Sequence, residues 1–433
     1  MKDDRDDTLE LLQRYESRNI AFVDPAGDWP IVWQRAKGVH VWDTAGKKYL
    51  DLTAAFGVAA AGHSNRHVVT AGQRQMATLM HAMGDVHPHR LKAQLARELS
   101  SLTFGRWLGE DGKTIFCNSG FEAVEAALKT ACLASDRKGI IAFKGAYHGL
   151  GYGALNVTHR EMFRRHFTDQ LAEFGRWISF PVTNLEFKEA KAEILSALEG
   201  GDIGAILLEP IQGRGGINVP HDSFLPWLRL TCDRHGILLI FDEIYTGFGR
   251  TGKWFGCEHW GVFPDIVCLG KALTGGFPMS ACVGRAEMMD AAWPKSEGEA
   301  IHTSTFLGHP VGCAMAMANI DQLKKLKLPQ ATARMEKYLL KILKALTPPD
   351  GYRLAARGKG LFIGLEITAP DGQPATTECV GIMKGMLRRG FILLPEGDAG
   401  NVISIIPPLT ITERQLRRAC VALQSEFKNL KPE

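Results

Sequence analysis

The sequence predicts an α/β fold, a mostly parallel sheet sandwiched by helices, followed by a smaller α+β domain. The first observation is a set of short apolar runs: Lys113 to Cys117, Gly139 to Phe143, Gly204 to Leu208, Gly236 to Phe241 and Ile266 to Leu269. Runs that stay apolar, rather than alternating, belong to strands covered on both faces. The second is that helical stretches, such as Phe121 to Ala134 and Phe187 to Leu198, fall between those runs. Strand–helix alternation makes neighbouring strands parallel. The third is a change of rhythm after about residue 330.

Ahead of the sheet, Thr8 to Tyr15 has an amphipathic helical pattern. Gly38 to Asp43 reads as a strand running into a turn at Asp43 to Gly46. After the change of rhythm, Ala331 to Leu346 reads as a long helix that stops at Pro348-Pro349, where the backbone donors are missing. Strand-like Leu361 to Ile367, helix-like Cys379 to Arg389, strands around Phe391 to Leu394 and Val402 to Ile406, and a last helix, Thr412 to Phe427, complete the chain. The expected division is an N-terminal segment, 1–65, a large α/β domain, 66–328, and a small α+β domain, 329–433. A length of 433 residues suits two or three such units.

Composition narrows the class. Hydrophobic residues at 45% and charged residues at 23% describe a globular protein with a substantial core, not a disordered one. A formal charge of +4 on this length gives no reason to expect nucleic acid or an anionic membrane as partner. Nine cysteines, without a C-x-x-C pair, read as reduced cytosolic thiols and lack zinc-site spacing, so no metal is expected. The acidic start, Met1 to Asp7, has no apolar core of a signal peptide. The expectation is a cytoplasmic enzyme.

Three segments carry chemistry. In Gly236 to Glu243, five apolar residues run straight into Asp242-Glu243. In an open parallel sheet the ligand crevice lies beyond the carboxyl ends of the strands, so Asp242 either faces that crevice or begins a turn. Lys271 follows the run Ile266 to Leu269 inside the Gly-rich Gly270 to Pro278. Desolvation there favours a neutral, nucleophilic amine; a lone lysine is more often a surface residue. Asn118-Ser119-Gly120 ends a strand and opens a helix at Phe121, which makes an anion site or a plain N-cap.

One decoy is set aside. Gly247 to Gly252 spells G-x-G-x-x-G, with Asp265 18 residues past Gly247. A dinucleotide fingerprint must open a helix, and Lys253 to Gly261 has no helical period. No G-x-S-x-G motif is present to suggest a serine hydrolase. A phosphate cup, a carboxylate and a lysine, each at a strand end, are the set that pyridoxal phosphate requires.

With these motifs in order, the chain resembles the class III pyridoxal-phosphate aminotransferases of fold type I, the 4-aminobutyrate/ornithine-type subgroup. The resemblance runs from Val41-Trp42-Asp43 and Gly62-His63-Ser64 through Asn118-Ser119-Gly120, Tyr147-His148-Gly149 and Glu209 to Gly213. It continues through Asp242 to Gly252, Gly270-Lys271, Ser304-Thr305-Phe306 and Gly358 to Leu361, and ends at Pro407 to Thr410. It implies a seven-stranded-type sheet in the large domain. It also implies an amino transfer from an amine or amino acid to a keto acid, in two ping-pong halves, with Lys271 carrying the cofactor as an internal aldimine. Asp242 would pair with the pyridinium nitrogen, and Tyr147 and Ile244 would cover the two ring faces. Ser119, Gly120 and the Phe121 N–H would hold the phosphate. His148 and Tyr245 would lie beside the cofactor, with Glu209 in support. Thr305 would reach the cofactor phosphate of a partner subunit, which implies a homodimer, or a dimer of dimers, with shared sites, and the N-terminal segment packed on that partner.

The chain departs from the family pattern at five positions. Phe121 replaces a Thr in the phosphate cup, and Tyr245 replaces a Gln. Leu150 and Ser404 stand where carboxylate-binding arginines are common. Arg214 stands where the family has the Glu that pairs with the arginine matching Ser404. The two exchanges together avoid a lone buried carboxylate beside a lost partner, and Arg214 becomes the expected grip for a substrate carboxylate. A racemase, epimerase or aminomutase on the same scaffold is the alternative, because it needs the same Lys271 and Asp242.

Overall fold

The computed structural model describes residues 4–20, 23–24 and 29–429. Met1 to Asp3, where the acidic stretch begins, lie outside them. A seven-stranded sheet organises the middle of the chain: β1 (Gly112–Cys117), β2 (Gly139–Phe143), β3 (Gly175–Ile178), β4 (Ile203–Leu208), β5 (Leu238–Asp242), β6 (Ile266–Leu269) and β7 (Ser280–Arg285). Their spatial order is β1-β7-β6-β5-β4-β2-β3. All five expected runs are strands. The expectation missed β3, a sheet-edge strand carrying Arg176, and β7, whose Ser280, Gly284 and Arg285 shorten its apolar run.

Strands β2 to β6 pair in parallel. β7 runs antiparallel to both β1 and β6, with Ser280 opposite Cys117. The carboxyl ends of the parallel strands and the start of β7 therefore share one edge. Leu239, Ile240 and Phe241 are fully buried; burial of such side chains contributes roughly 1.5–3 kcal/mol each. Helix α1 (Gly120–Ser135) buries Ala123, Ala126, Ala127 and Ala131. Such small side chains let its backbone lie close to the sheet, and the Cys268 thiol of β6 reaches the Ala123 carbonyl at 3.5 Å.

Two smaller sheets join the ends of the chain. Strands at Trp33–Lys37, His40–Asp43 and Lys48–Asp51 form the first with Phe391–Ile392, which pairs in parallel through Phe391 and Leu50. The second holds Arg353–Lys359, Phe362–Thr368, Val402–Ile405 and Leu394–Glu396. The single strand expected at Phe391 to Leu394 is thus two, because the chain steps from one sheet to the other at Leu393. Arg353–Lys359 went unread because it carries three basic residues in seven. Arg250, buried beneath the loop after β5, donates to the carbonyls of Pro407 (2.5 Å) and Leu361 (3.3 Å). It ties that loop to the second small sheet. No helix among the described residues is long and apolar enough to cross a membrane.

Candidate active site

The site lies at the shared strand edge. Asp242 is the last residue of β5 and is buried. Its Oδ1 accepts from the Ile244 N–H at 3.0 Å, and its Oδ2 lies 2.8 Å from Nδ1 of buried His148. Each oxygen keeps a lone pair free. The neighbouring Glu243 points away and accepts from the Gly256 and Cys257 N–H groups (both 2.7 Å) and the Thr246 hydroxyl. Of the two adjacent carboxylates, one serves the cavity and one holds a loop.

Lys271 follows β6 with a left-handed backbone, φ +41°. For a residue with a side chain that conformation costs on the order of 1–3 kcal/mol and persists only when the surroundings impose it. It aims Nζ to within 4.0 Å of the centre of the Tyr245 ring. Burial pushes the Lys271 ammonium below its ordinary range, while Asp242, Glu209 and Glu396 hold it up. Tyr245 packs edge-on against Phe362, with centroids 4.9 Å apart. Burial pushes its phenol up, so it remains neutral. A Cβ on Gly57 would meet the Tyr245 ring at 2.5 Å, so only glycine leaves the tyrosine its place. Gly57 closes a left-handed turn from Ala54 that presents Phe56, 59% exposed, at the cavity wall.

Asn118-Ser119 leads from β1 into α1. Glu122, in the first turn of α1, accepts from the Asn118 and Ser119 N–H groups, and the Ser280 hydroxyl of β7 holds the Ser119 carbonyl at 2.5 Å. The first N–H groups of the helix have no intrahelical acceptor. The buried Ser119 hydroxyl faces the Glu122 N–H in a capping box and has no acceptor for its own proton among the described residues. A Cβ on Gly120 would press on Ile244 at 3.1 Å.

The cavity has a volume of about 550 Å³. Its wall includes Gly120, Phe121, Tyr147, His148, Glu209, Arg214, Asp242, Ile244, Tyr245 and Lys271. Two expected residues are not on that wall. Ser119 directly precedes Gly120 of the wall, and Thr305 is exposed in the turn before Gly308. Leu150 is on the wall, and Ser404 is a buried strand residue whose hydroxyl donates to the Leu394 carbonyl at 2.9 Å.

Glu209 accepts from the Tyr147 N–H (3.2 Å) and the Gly213 N–H (2.8 Å). Burial pushes its carboxyl up to about 7, against the pull of His148 and those donors. Arg214 lays its guanidinium 4.9 Å from the Tyr147 ring centre. Its Nε is 3.8 Å from Oε2 of Glu396, a wall residue the sequence reading missed. Glu396 thus places, from another strand, a buried carboxylate opposite Arg214. The only signal in the sequence was a single acid closing the apolar run Phe391 to Pro395. Asp265, the acid of the decoy motif, is structural: it pairs with Arg229 at 2.9 Å and accepts from the Leu239 N–H.

A buried amine, a buried carboxylate on a second strand end and an orphaned hydroxyl at a helix start fit pyridoxal phosphate. Fold and site together define a pyridoxal-phosphate-dependent transferase. The class III aminotransferase family model matches residues 23–427, and the chain belongs to that family. It is 37% identical to the acetylornithine aminotransferase of Methanosarcina mazei, over 90% of each chain. It is 36% identical to the putrescine aminotransferase of Pectobacterium atrosepticum, over 94% of this chain and 85% of the relative. Among solved structures it matches an (S)-enantioselective omega-transaminase from Thermomicrobium roseum, with a TM-score of 0.89 and 27% identity over 99% of both chains. It also matches an amine transaminase from an uncultivated Pseudomonas species solved with the cofactor bound, with a TM-score of 0.86 and 29% identity over 96% of this chain and 98% of that one. The protein is a pyridoxal-phosphate-dependent aminotransferase of fold type I, and these relatives do not favour the isomerase alternative.

Proposed function

We propose that the enzyme moves an amino group from an amine or amino acid to a keto acid in two halves, with Lys271 as the catalytic amine. The observation that carries this reading is the placement of Lys271 and Asp242 on adjacent strand ends, both buried on one cavity wall. The bound cofactor supplies an electron sink for the bonds at the substrate carbon. Asp242 would hold a proton at the ring nitrogen, and His148 fixes Asp242. Lys271, with its amine pushed toward the neutral form by burial, takes and returns the proton at the substrate carbon. Ser119 and the Gly120 and Phe121 N–H groups would hold the phosphate, and Tyr147 and Ile244, on the cavity wall, would pack against the ring. Arg214 receives the carboxylate of the keto acid, with Glu209 bracing the Tyr147 and Gly213 backbone.

The finer readings follow the same lines. The enzyme works as a homodimer, or a dimer of dimers, with Thr305 acting across the interface; its exposure supports that role. A cytoplasmic location is supported by nine unpaired cysteines, eight of them buried. The three-part division at 65 and 328 is supported by the sheets, since the seven-stranded one lies wholly within 66–328. The test is to add an amine without a keto acid. One equivalent of carbonyl product per site should form, and the reaction should then stall until keto acid is supplied. A racemase would instead release no carbonyl product and would invert its substrate.

A further inference from the structure

A lysine that takes a proton from the substrate carbon and returns it must hold that proton in between. The surroundings of Lys271 offer its ammonium little. Burial pushes it below its ordinary range. The charged groups facing it are Asp242 at the end of β5, Glu209 after β4 and Glu396 from the second small sheet, which favour the ammonium, and Arg214, which opposes it. His148 stands against Asp242. Yet among the described residues Nζ of Lys271 makes no hydrogen bond and no ion pair. What it meets is the face of the Tyr245 ring, whose centre lies 4.0 Å away. An ammonium over an aromatic face is attracted by the negative charge of the ring's π cloud, and more strongly where water is excluded.

The ring is held in that place from three sides. A Cβ on Gly57 would meet its Cε2 at 2.5 Å, and a Cβ on Gly213 would meet its Cδ1 at 2.7 Å. Glycines from two separate segments thus clear opposite edges of one ring. Phe362 packs edge-on to it, with 70° between the ring planes. The phenol hydroxyl makes no hydrogen bond among the described residues, and burial keeps it neutral. The surroundings are shaped around the ring, and no phenolate is there to pair with the amine.

We propose that Tyr245 is a positioning residue for the catalytic amine: the face of its ring is the resting place of Lys271 whenever that amine is free of the cofactor, and it stabilises the ammonium form there. The proposal rests on the reading that Lys271 is the catalytic amine. A glutamine at this position, the residue that Tyr245 replaces, has no aromatic face to offer. With the amine docked over a clamped ring, the proton is held on the cavity side and returned from a fixed direction. The ring works against burial, so removing it makes the amine easier to deprotonate.

The test uses enzyme loaded with pyridoxamine 5′-phosphate, which leaves Lys271 free. Cyanate carbamylates the neutral amine, and peptide mass spectrometry reads the extent at Lys271 across a pH series. The midpoint should agree between wild type and Tyr245→Phe and should fall by about one pH unit in Tyr245→Leu. Replacing Tyr245 by 3,4,5-trifluorophenylalanine, which keeps the ring's shape and strips its negative face, should lower the midpoint too. The acidic limb of the amine half-reaction should move with it. Midpoints that coincide in all four proteins would make the ring a filler and overturn the proposal, while the aminotransferase reading stands. A midpoint that falls as far in Tyr245→Phe as in Tyr245→Leu would assign the effect to the hydroxyl and also overturn it. If borohydride fixes the cofactor of the wild type on another lysine, the underlying reading falls and takes the proposal with it. Should Tyr245→Leu not fold, the phenylalanine and trifluorophenylalanine proteins still decide.

Discussion

Nδ1 of His148 lies 2.8 Å from Oδ2 of Asp242, and both side chains are closed off from solvent. The imidazole thus fixes one oxygen of the carboxylate, and the Ile244 N–H fixes the other. Both oxygens are positioned from behind, which sets the carboxylate where a partner for the ring nitrogen of the cofactor would stand.

Asp242→Asn should therefore fold and lose activity by several powers of ten. Asparagine keeps the shape but not the charge. Steady-state kcat on the reconstituted variant checks this, and a loss of less than tenfold would place the ring-nitrogen partner elsewhere.

Arg214→Ala should raise KM for 2-oxoglutarate or pyruvate by one to two powers of ten, about 1.4–3 kcal/mol. The amine half should change far less. Separate half-reaction kinetics distinguish the two, and an unaltered keto-acid KM would remove Arg214 from carboxylate recognition.

Glu209 gives a pH-dependent stability signature. Its carboxyl titrates near 4.5 when unfolded and at about 7 in the fold. The fold binds that proton more tightly, so this contribution to stability is full below about pH 4.5 and is lost as pH rises through about 7. The span corresponds to roughly 3 kcal/mol. Glu209→Gln cannot titrate, so its melting temperature relative to the wild type should climb between about pH 5 and 8. A difference that stays flat over that range would contradict the assignment.

The shared-site reading predicts complementation. Inactive Lys271→Ala chains mixed with an inactive Thr305 variant should regain some activity once subunits exchange. Monomers fully active at high dilution would refute it.

Much of this was legible in the sequence because strand ends are local. Asp242 and Lys271 each follow an apolar run that announces its strand, and the helix start at Gly120 follows a third. Strands β3 and β7 escaped because they carry arginine, serine and glycine. Glu396 escaped for a different reason. It comes from a separate small sheet, and only the folded chain brings it opposite Arg214. The exchange of charge at Arg214 and Ser404 was visible, but its new partner was not.

The most direct test of the central claim is to treat the yellow holoenzyme with borohydride and map the cofactor by mass spectrometry. The account predicts one cofactor per chain, fixed on the peptide containing Lys271, and a Lys271→Ala protein that neither fixes cofactor there nor turns over. Cofactor fixed on another lysine, or a Lys271→Ala variant with near-normal rates, would contradict it.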